Sequence, residues 1–382
     1  MPFSEQDSVT LSSPVNEPGE REPQAGIALC LSGGGYRAMI FHLGALWRLN
    51  ELGYLAKLQR VSSVSGGSIT AGMLGLKWSK LAFKDGIAQR LLPEVIAPIR
   101  AFAHETIDVG SVLKGVFLPG TISDKVTAAY REHLFGKATL QDLPDDPPRF
   151  VINATNVQTG VLWRFSKPYM RDYLVGEVKH PTVSLATAVA ASSAFPPILS
   201  PARLELDPAS FSPPDGEPYH KLPFTKDVYL SDGGVYDNLG LETAWKRYRT
   251  ILVSDAGLAM GADPDPGTDW ATHAKRVLDM IDNQVRALRK RQLLAGFTSG
   301  ARDGAYWSVR SDIADYGTPN ALPCPPERVA ELARIPTRLA KMPDDAQERL
   351  INWGYAITDA AMRRWVDPAL PAPNAFPYPR GV

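Results

Sequence analysis

The apolar pattern of the chain first sharpens at Gly26. Ile27-Ala28-Leu29-Cys30-Leu31 is a continuous apolar run, as in a strand covered on both faces, and Ser32-Gly33-Gly34-Gly35 breaks it. From Tyr36 the apolar positions take helical period, with Met39, Ile40, Leu43, Leu46, Trp47 and Leu52 mostly on one stripe. The same order follows at once: a strand over Leu58–Ser63, a turn of Ser65, Gly66 and Gly67, and a helix over Ile69–Trp78. Successive strand–turn–helix units predict a mostly parallel sheet covered by helices, with functional groups at the carboxyl ends of the strands.

Further along, 81–118 reads as apolar and helical, interrupted by Pro93, Pro98 and Gly110, and Ser123–Phe135 as an amphipathic helix. Arg149–Asn156 and Val161–Ser166 form a predicted β-hairpin. Ser184–Ala194 reads as a small-residue helix stopped by Pro196-Pro197. The Pro- and Asp-rich stretch 201–223 has little periodicity and reads as an insertion loop. Strands over Asp227–Leu230 and Thr250–Ser254 flank a helix expected to start near Asn238. A long helix spans about 269–294, and its Arg286, Arg289, Lys290 and Arg291 form a basic cluster, read as a solvated face or a phosphate or headgroup contact. Helices over 327–333 and 346–365 precede a Pro-rich end. No internal repeat or clear linker is visible, so one domain with insertions is expected.

Composition narrows the class. The 382 residues are 44% hydrophobic and 21% charged, ordinary for a globular chain, so a disordered or fibrous protein is excluded. Lys+Arg and Asp+Glu both total 41, which argues against a broadly basic nucleic-acid binder. Cys30 and Cys324 can make neither a disulfide framework nor a four-cysteine zinc site, and a reducing compartment follows. Residues 1–24 are polar, without the basic-then-apolar order of a secretory signal, and are expected to form a mobile tail. The apolar stretches break well before they could span ~30 Å of hydrocarbon. The expectation is a soluble, cytoplasmic protein.

Three places carry candidate chemistry. Ser63-Val64-Ser65-Gly66-Gly67 lies between a strand and a helix, where a sharp turn would expose the Ser65 hydroxyl and the helix N-terminus would face developing negative charge. A plain Ser/Gly turn with a helix cap fits the pentapeptide equally well. Ser32-Gly33-Gly34-Gly35-Tyr36-Arg37 leaves backbone N–H groups uncovered after a buried strand, suited to an oxyanion, with Arg37 as a fixed positive charge. Neither the dinucleotide fingerprint nor the phosphate-loop order occurs there. Ser231-Asp232-Gly233-Gly234 ends a predicted strand with a carboxylate that another side chain could approach. None of His42, His104, His133, His180, His220 and His273 follows a strand end as a triad base would, so an aspartate taking the serine proton directly is the simpler base. Asp263, Asp265 and Asp269 lack the spacing of a calcium loop and read as a turn.

In this order the three motifs resemble those of the patatin-like phospholipase family, related to the catalytic domain of cytosolic phospholipase A2. Asn153-Ala154-Thr155-Asn156 with Thr159-Gly160, and Ala188 to Pro201, extend the similarity over about 26–256. The one departure is Ser63, where the serine elbow normally has glycine. The resemblance implies a three-layer α/β/α fold with a mostly parallel central sheet, helical insertions and a helical C-terminal region. It divides the chain into a tail (1–25), a catalytic domain (26–260, with 81–135 as helical insertion or lid and 201–223 as loop insertion) and a helical region (261–382) packed on it. It further implies a lipid acyl hydrolase of phospholipase A or lysophospholipase type, with Ser65 as nucleophile and Asp232 as base. Gly34 and Gly35 would donate to the oxyanion, Gly33 would support the turn, and Arg37 and Gly66 would bind substrate. No cofactor or metal is needed for that chemistry. Its partner is a phospholipid or other acyl lipid met by peripheral membrane contact, and no nucleic acid is expected. Val95, Ile96, Ile99, Phe102, Val116, Phe117 and Leu118 are the expected lid or docking surface, with ordinary core as the alternative. An acyltransferase of the same fold and a silent lipid- or partner-binding scaffold are the competing readings.

Overall fold

The computed structural model describes residues 22–107, 122–213, 219–258 and 260–382. Nearly all of the expected tail, Val116–Leu118 of the expected docking segment, and 214–218 of the expected loop lie outside the described residues.

The apolar run predicted for the first strand is β1 (Gln24–Leu31), an interior strand third from one edge of the sheet. Its alternating side chains explain the unbroken pattern: Leu29 and Leu31 enter the larger core on one face, Ala28 and Cys30 a smaller core on the other. β1 pairs in parallel with β2 (Leu58–Val64) and with β12 (Tyr248–Asp255). β2 pairs in parallel with β5 (Arg149–Asn156), and β12 with β13 (Asp303–Ser308). Beyond β5 the sheet continues antiparallel through β6 (Val161–Phe165), β7 (Tyr169–Asp172), β8 (Gly176–Lys179) and β10 (Phe211–Ser212). β11 (Asp227–Asp232) pairs with β5 and with β9 (Ala202–Glu205), completing eleven strands. Only β6, β8 and β11 run against the rest.

Helices cover both faces. On the larger core, α1 (Gly35–Glu51) crosses α10 (Asp344–Trp365) at two glycines: a Cβ at Gly44 would lie 2.0 Å from the Ile351 carbonyl oxygen, and one at Gly354 2.1 Å from that of Phe41. α2 (Gly66–Lys77), α4 (Ile122–Tyr130), α5 (Leu185–Ser192) and α9 (Pro326–Ala333) bury apolar residues in the same core. On the other face, α8 (Trp270–Thr298) contributes only Leu293 and Gly296 as buried residues. The three-layer α/β architecture is therefore the one expected.

Four local expectations are corrected. First, 201–223 is not a bare loop, because β9 and β10 are built from it; strands of four and two residues are too short to show alternation. Second, a short hairpin, β3 (Phe83–Lys84) and β4 (Ile87–Ala88), replaces the start of the expected helix at 81, and α3 (Ala97–Phe102) comes after it. Third, Val95, Ile96, Ile99 and Phe102 are buried in the larger core, with Phe102 edge-on to Tyr36 (5.3 Å) and Tyr130 (5.8 Å). These four side chains take the core alternative. Fourth, two short helices, α6 (Gly234–Asp237) and α7 (Glu242–Trp245), stand where one was expected from Asn238, interrupted by Gly240 at φ 66°.

Candidate active site

Two strands meet end to end along one edge of β5. β2 runs parallel to β5 and ends at Val64, opposite Asn153. β11 runs the other way along the same edge and ends at Asp232, opposite Ala154. Neither strand can continue, so β2 leaves the sheet through Ser65 into α2, and β11 through Gly233 into α6. Residues 167 positions apart are thereby set side by side at two adjacent carboxyl ends.

Ser65 takes the sharp turn with φ 52° and ψ −122°, a conformation that costs a residue with a Cβ about 1–3 kcal/mol. A buried hydroxyl network holds it there. The Ser65 N–H donates to Ser192 Oγ (3.0 Å), Ser192 Oγ donates to the Asn153 carbonyl (2.6 Å), and Ser68 Oγ lies 2.9 Å from Ser192 Oγ. The substituted elbow position fits: Ser63 is fully buried and accepts from Ser68 Oγ at 3.0 Å. Ser192 has no signature in the sequence beyond a pair of serines closing a small-residue helix.

The glycine turn between β1 and α1 lies directly against Ser65, since a Cβ at Gly33 would come within 3.1 Å of that of Ser65. Gly34 (φ 145°) and Gly35 (φ 56°) adopt conformations that favour glycine. The Gly33 N–H is engaged by the Asn238 carbonyl (3.1 Å), whereas those of Gly34 and Gly35 have no acceptor among the described residues. Gly66 must also lack a side chain, because a Cβ there would lie 2.1 Å from the Gly35 carbonyl oxygen. Changing Gly66 to Ala should therefore force the two turns apart and lower both the unfolding midpoint and any turnover at Ser65, turnover by ~10²-fold or more. Parallel urea titrations and ester assays check this, and a fully active variant would contradict it.

Asp232 is buried and its backbone is pinned by Ala194 (N–H to carbonyl, 2.9 Å) and Thr155 (Oγ1 to the Asp232 carbonyl, 2.8 Å). Burial pushes its carboxyl up to about 7, against the Gly234 N–H, 2.7 Å from Oδ1, and the adjoining Ser65 side chain, which favour the charged form. A carboxylate with that affinity for a proton can exchange one near neutral pH.

Ser65, Asp232, Gly33, Gly34 and Gly35 all line one cavity of about 700 Å³, a size suited to a small organic ligand. Its other walls are apolar at Phe195–Leu199 and Leu339, and polar where α8 presents Asp282 and Arg286. Asn238, missed in the sequence, projects its amide between Gly33, Gly234 and Gly257. No histidine lines the cavity among the described residues. His42 is buried between Ser254 Oγ (2.8 Å) and the Ser32 carbonyl (3.0 Å), and burial drives it down to about 4 and keeps it neutral.

Arg37 is not brought to the cavity. Its guanidinium is fully buried and donates to the carbonyls of Ala333 and Ile335 (both 2.8 Å) and of Ala256 (2.8 Å), clamping two distant segments against the start of α1. Burial lowers it to about 10, still cationic at neutral pH. Three carbonyls would lose their donor in Arg37→Met, at a cost of about 3 kcal/mol. Chemical denaturation should show that loss, while any phospholipid and neutral-ester turnover by the folded variant keeps the wild-type ratio. A selective loss of phospholipid turnover would return Arg37 to a headgroup role. Of the basic cluster on α8, Arg289 instead pairs with Glu242 (2.7 Å) and Lys290 lies over the Tyr306 ring.

In overall fold the molecule is similar to cytosolic phospholipase A2. The structure is similar to human GIVD cytosolic phospholipase A2, with TM-score 0.52 at 13% identity over 93% of this chain and 60% of that one. It is similar also to the same human enzyme in complex with methyl γ-linolenyl fluorophosphonate, with TM-score 0.50 at 15% identity and the same coverage. The chain thus spans 60% of the length of those proteins. No curated protein matches it by sequence. The patatin-like phospholipase model matches residues 29–245, and the chain belongs to that family of lipid acyl hydrolases. Among the described residues, no helix is long and apolar enough to cross a membrane.

Proposed function

We propose that the chain is a phospholipase A or lysophospholipase that cleaves fatty-acyl esters through a Ser65–Asp232 dyad. The observation that carries this reading is the end-to-end meeting of β2 and β11, which puts a strained, half-buried serine beside a carboxyl poised near neutral pH. As Ser65 Oγ attacks the ester carbonyl, Asp232 takes its proton. The oxyanion receives the N–H groups of Gly34 and Gly35, each such donor typically contributing ~3 kcal/mol to the transition state. Collapse breaks the ester bond, Asp232 returns the proton to the leaving alcohol, and an acyl-serine remains. Asp232 then deprotonates a water that attacks the acyl-serine, releasing the fatty acid and regenerating Ser65. Gly33 supports the turn, Gly66 lets the two turns touch, and Phe195, Ile198 and Leu199 offer an apolar wall to the acyl chain.

Support comes also from the reagent in the human relative's complex, a lipid-shaped fluorophosphonate that suits a serine nucleophile beside an apolar groove. The catalytic unit on this reading includes the C-terminal region, because Arg286 and Thr337–Ala340 help to line the cavity. Its substrates are acyl lipids met at a membrane surface in the cytoplasm. Incubation with phosphatidylcholine or lysophosphatidylcholine vesicles should yield free fatty acid, identified by mass spectrometry. Release of phosphocholine or of a diacylglycerol in its place would contradict acyl-ester cleavage.

A further inference from the structure

The long helix α8 turns an unusual face to water. A surface helix ordinarily hides its apolar stripe and exposes its charges. In α8, Val277, Ile281 and Leu288 follow Trp270 by seven, eleven and eighteen residues, which at 100° per residue puts all four within about 20° of one line. All four are exposed, Trp270 at 84%, Ile281 at 55% and Leu288 at 59%. The charges lie elsewhere: Asp279 and Asp282 occupy the opposite side, lining the cavity and paired with Lys275 (2.6 Å) and Arg286 (3.2 Å).

We propose that this stripe is the surface by which the protein docks on a lipid bilayer bearing anionic headgroups. The inference rests on the acyl-hydrolase reading and specifies how its cavity meets the substrate. Three observations favour a bilayer as occupant. The stripe and the cavity share a wall, since the two sides of α8 form them. The cavity mouth continues the apolar surface, because Phe195, Ile198 and Leu258 both line it and stand exposed. Arg291 beside the stripe and Arg338 at the mouth are exposed and have no carboxylate partner among the described residues, which leaves two cations around the patch for an anionic surface. A second copy fits less well: Gln284 and Arg291 fall on positions that a helix–helix seam needs apolar. In this arrangement the helix lies in the interface on its apolar side and delivers the mouth to the headgroup layer.

The test uses the full chain carrying Ser65→Ala, so that lipid is bound without being cleaved, and vesicles of phosphatidylcholine with and without phosphatidylglycerol. Binding should be stronger with phosphatidylglycerol, and Val277→Ser/Ile281→Asn/Leu288→Ser should weaken it at least ~10-fold. Brominated lipid should quench Trp270, read as the difference from Trp270→Phe. With Ser65 restored, the triple variant should hydrolyse a soluble short-chain ester at the wild-type rate, showing an intact fold and cavity. Unchanged vesicle binding by the triple variant, or absent Trp270 quenching, would overturn the proposal. Conversion of a dimer to a monomer with vesicle binding unchanged would overturn it in favour of a second copy. Vesicle binding through the stripe by a protein that cleaves no ester would instead contradict the hydrolase reading and leave the docking surface standing.

Discussion

Ser65→Ala should abolish ester hydrolysis, by at least ~10⁴-fold, and Ser65→Gly should do the same while folding more stably than Ser65→Ala. The loss follows from removing the only nucleophile the proposed reaction has; any residual rate comes from the glycine-turn amides and the cavity acting on water. The stability order follows from the backbone. Replacing alanine by glycine ordinarily destabilises a protein, by enlarging the freedom of the unfolded chain. At φ 52° and ψ −122° the alanine Cβ carries a steric cost that glycine does not, on the order of 1–3 kcal/mol, which exceeds the entropic term. Neither variant keeps the hydroxyl, so their comparison isolates strain from the contact with Asp232. Urea unfolding of the pair measures the difference. Equal or reversed stabilities would mean that the turn stores no strain, and substantial residual hydrolysis would mean that another group attacks.

Asp232→Asn should lower turnover at least ~10³-fold, because the amide cannot accept the serine proton. The wild-type kcat/KM should rise with pH and level off above about 7, as Asp232 ionises in the free enzyme. The same shift sets a stability signature. The folded carboxyl holds its proton up to about pH 7, while the unfolded one releases it near its ordinary value of 3.8. Between those values the fold binds more protons than the unfolded chain, so this contribution to wild-type stability is fully present below the lower value. It is lost as pH rises through the upper one, by up to about 4 kcal/mol. The amide of Asp232→Asn has no proton to lose and escapes this. The variant should therefore gain on the wild type between about pH 5 and about pH 8, with no further gain above. Unfolding titrations at the two pH values check the sign, and a variant that loses ground as pH rises would refute the buried, proton-holding carboxyl.

How far the sequence could anticipate this depended on how local the determinant is. Ser65, Asp232 and Gly33–Gly35 were legible because each sits in a strand-ending turn whose small residues carry the signal. Their gathering in one cavity is a matter of topology, which the alternation of strands and helices suggested and the meeting of β2 and β11 explains. Arg37 was misplaced because its position beside the glycine turn is local, while its burial is decided by Ala333 and Ile335, some 300 residues away. Ser192 and Asn238 escaped for the same reason: each is placed by contacts made across the fold. Periodicity found an apolar stripe at 95–102 but could not tell what it faces, and it faces Tyr36 and Tyr130. In α8 the charges are the local signal, although the exposed apolar side is the unusual feature.

The central claim, a nucleophilic Ser65 activated by Asp232, is tested most directly by covalent capture. Wild-type protein is treated with an alkyl fluorophosphonate, and its intact mass and peptide map are recorded beside those of Ser65→Ala and Asp232→Asn. A single adduct on Ser65 is expected, none on Ser65→Ala, and adduct formation on Asp232→Asn slowed by orders of magnitude. An unlabelled wild type, or equal labelling of all three proteins, would contradict it.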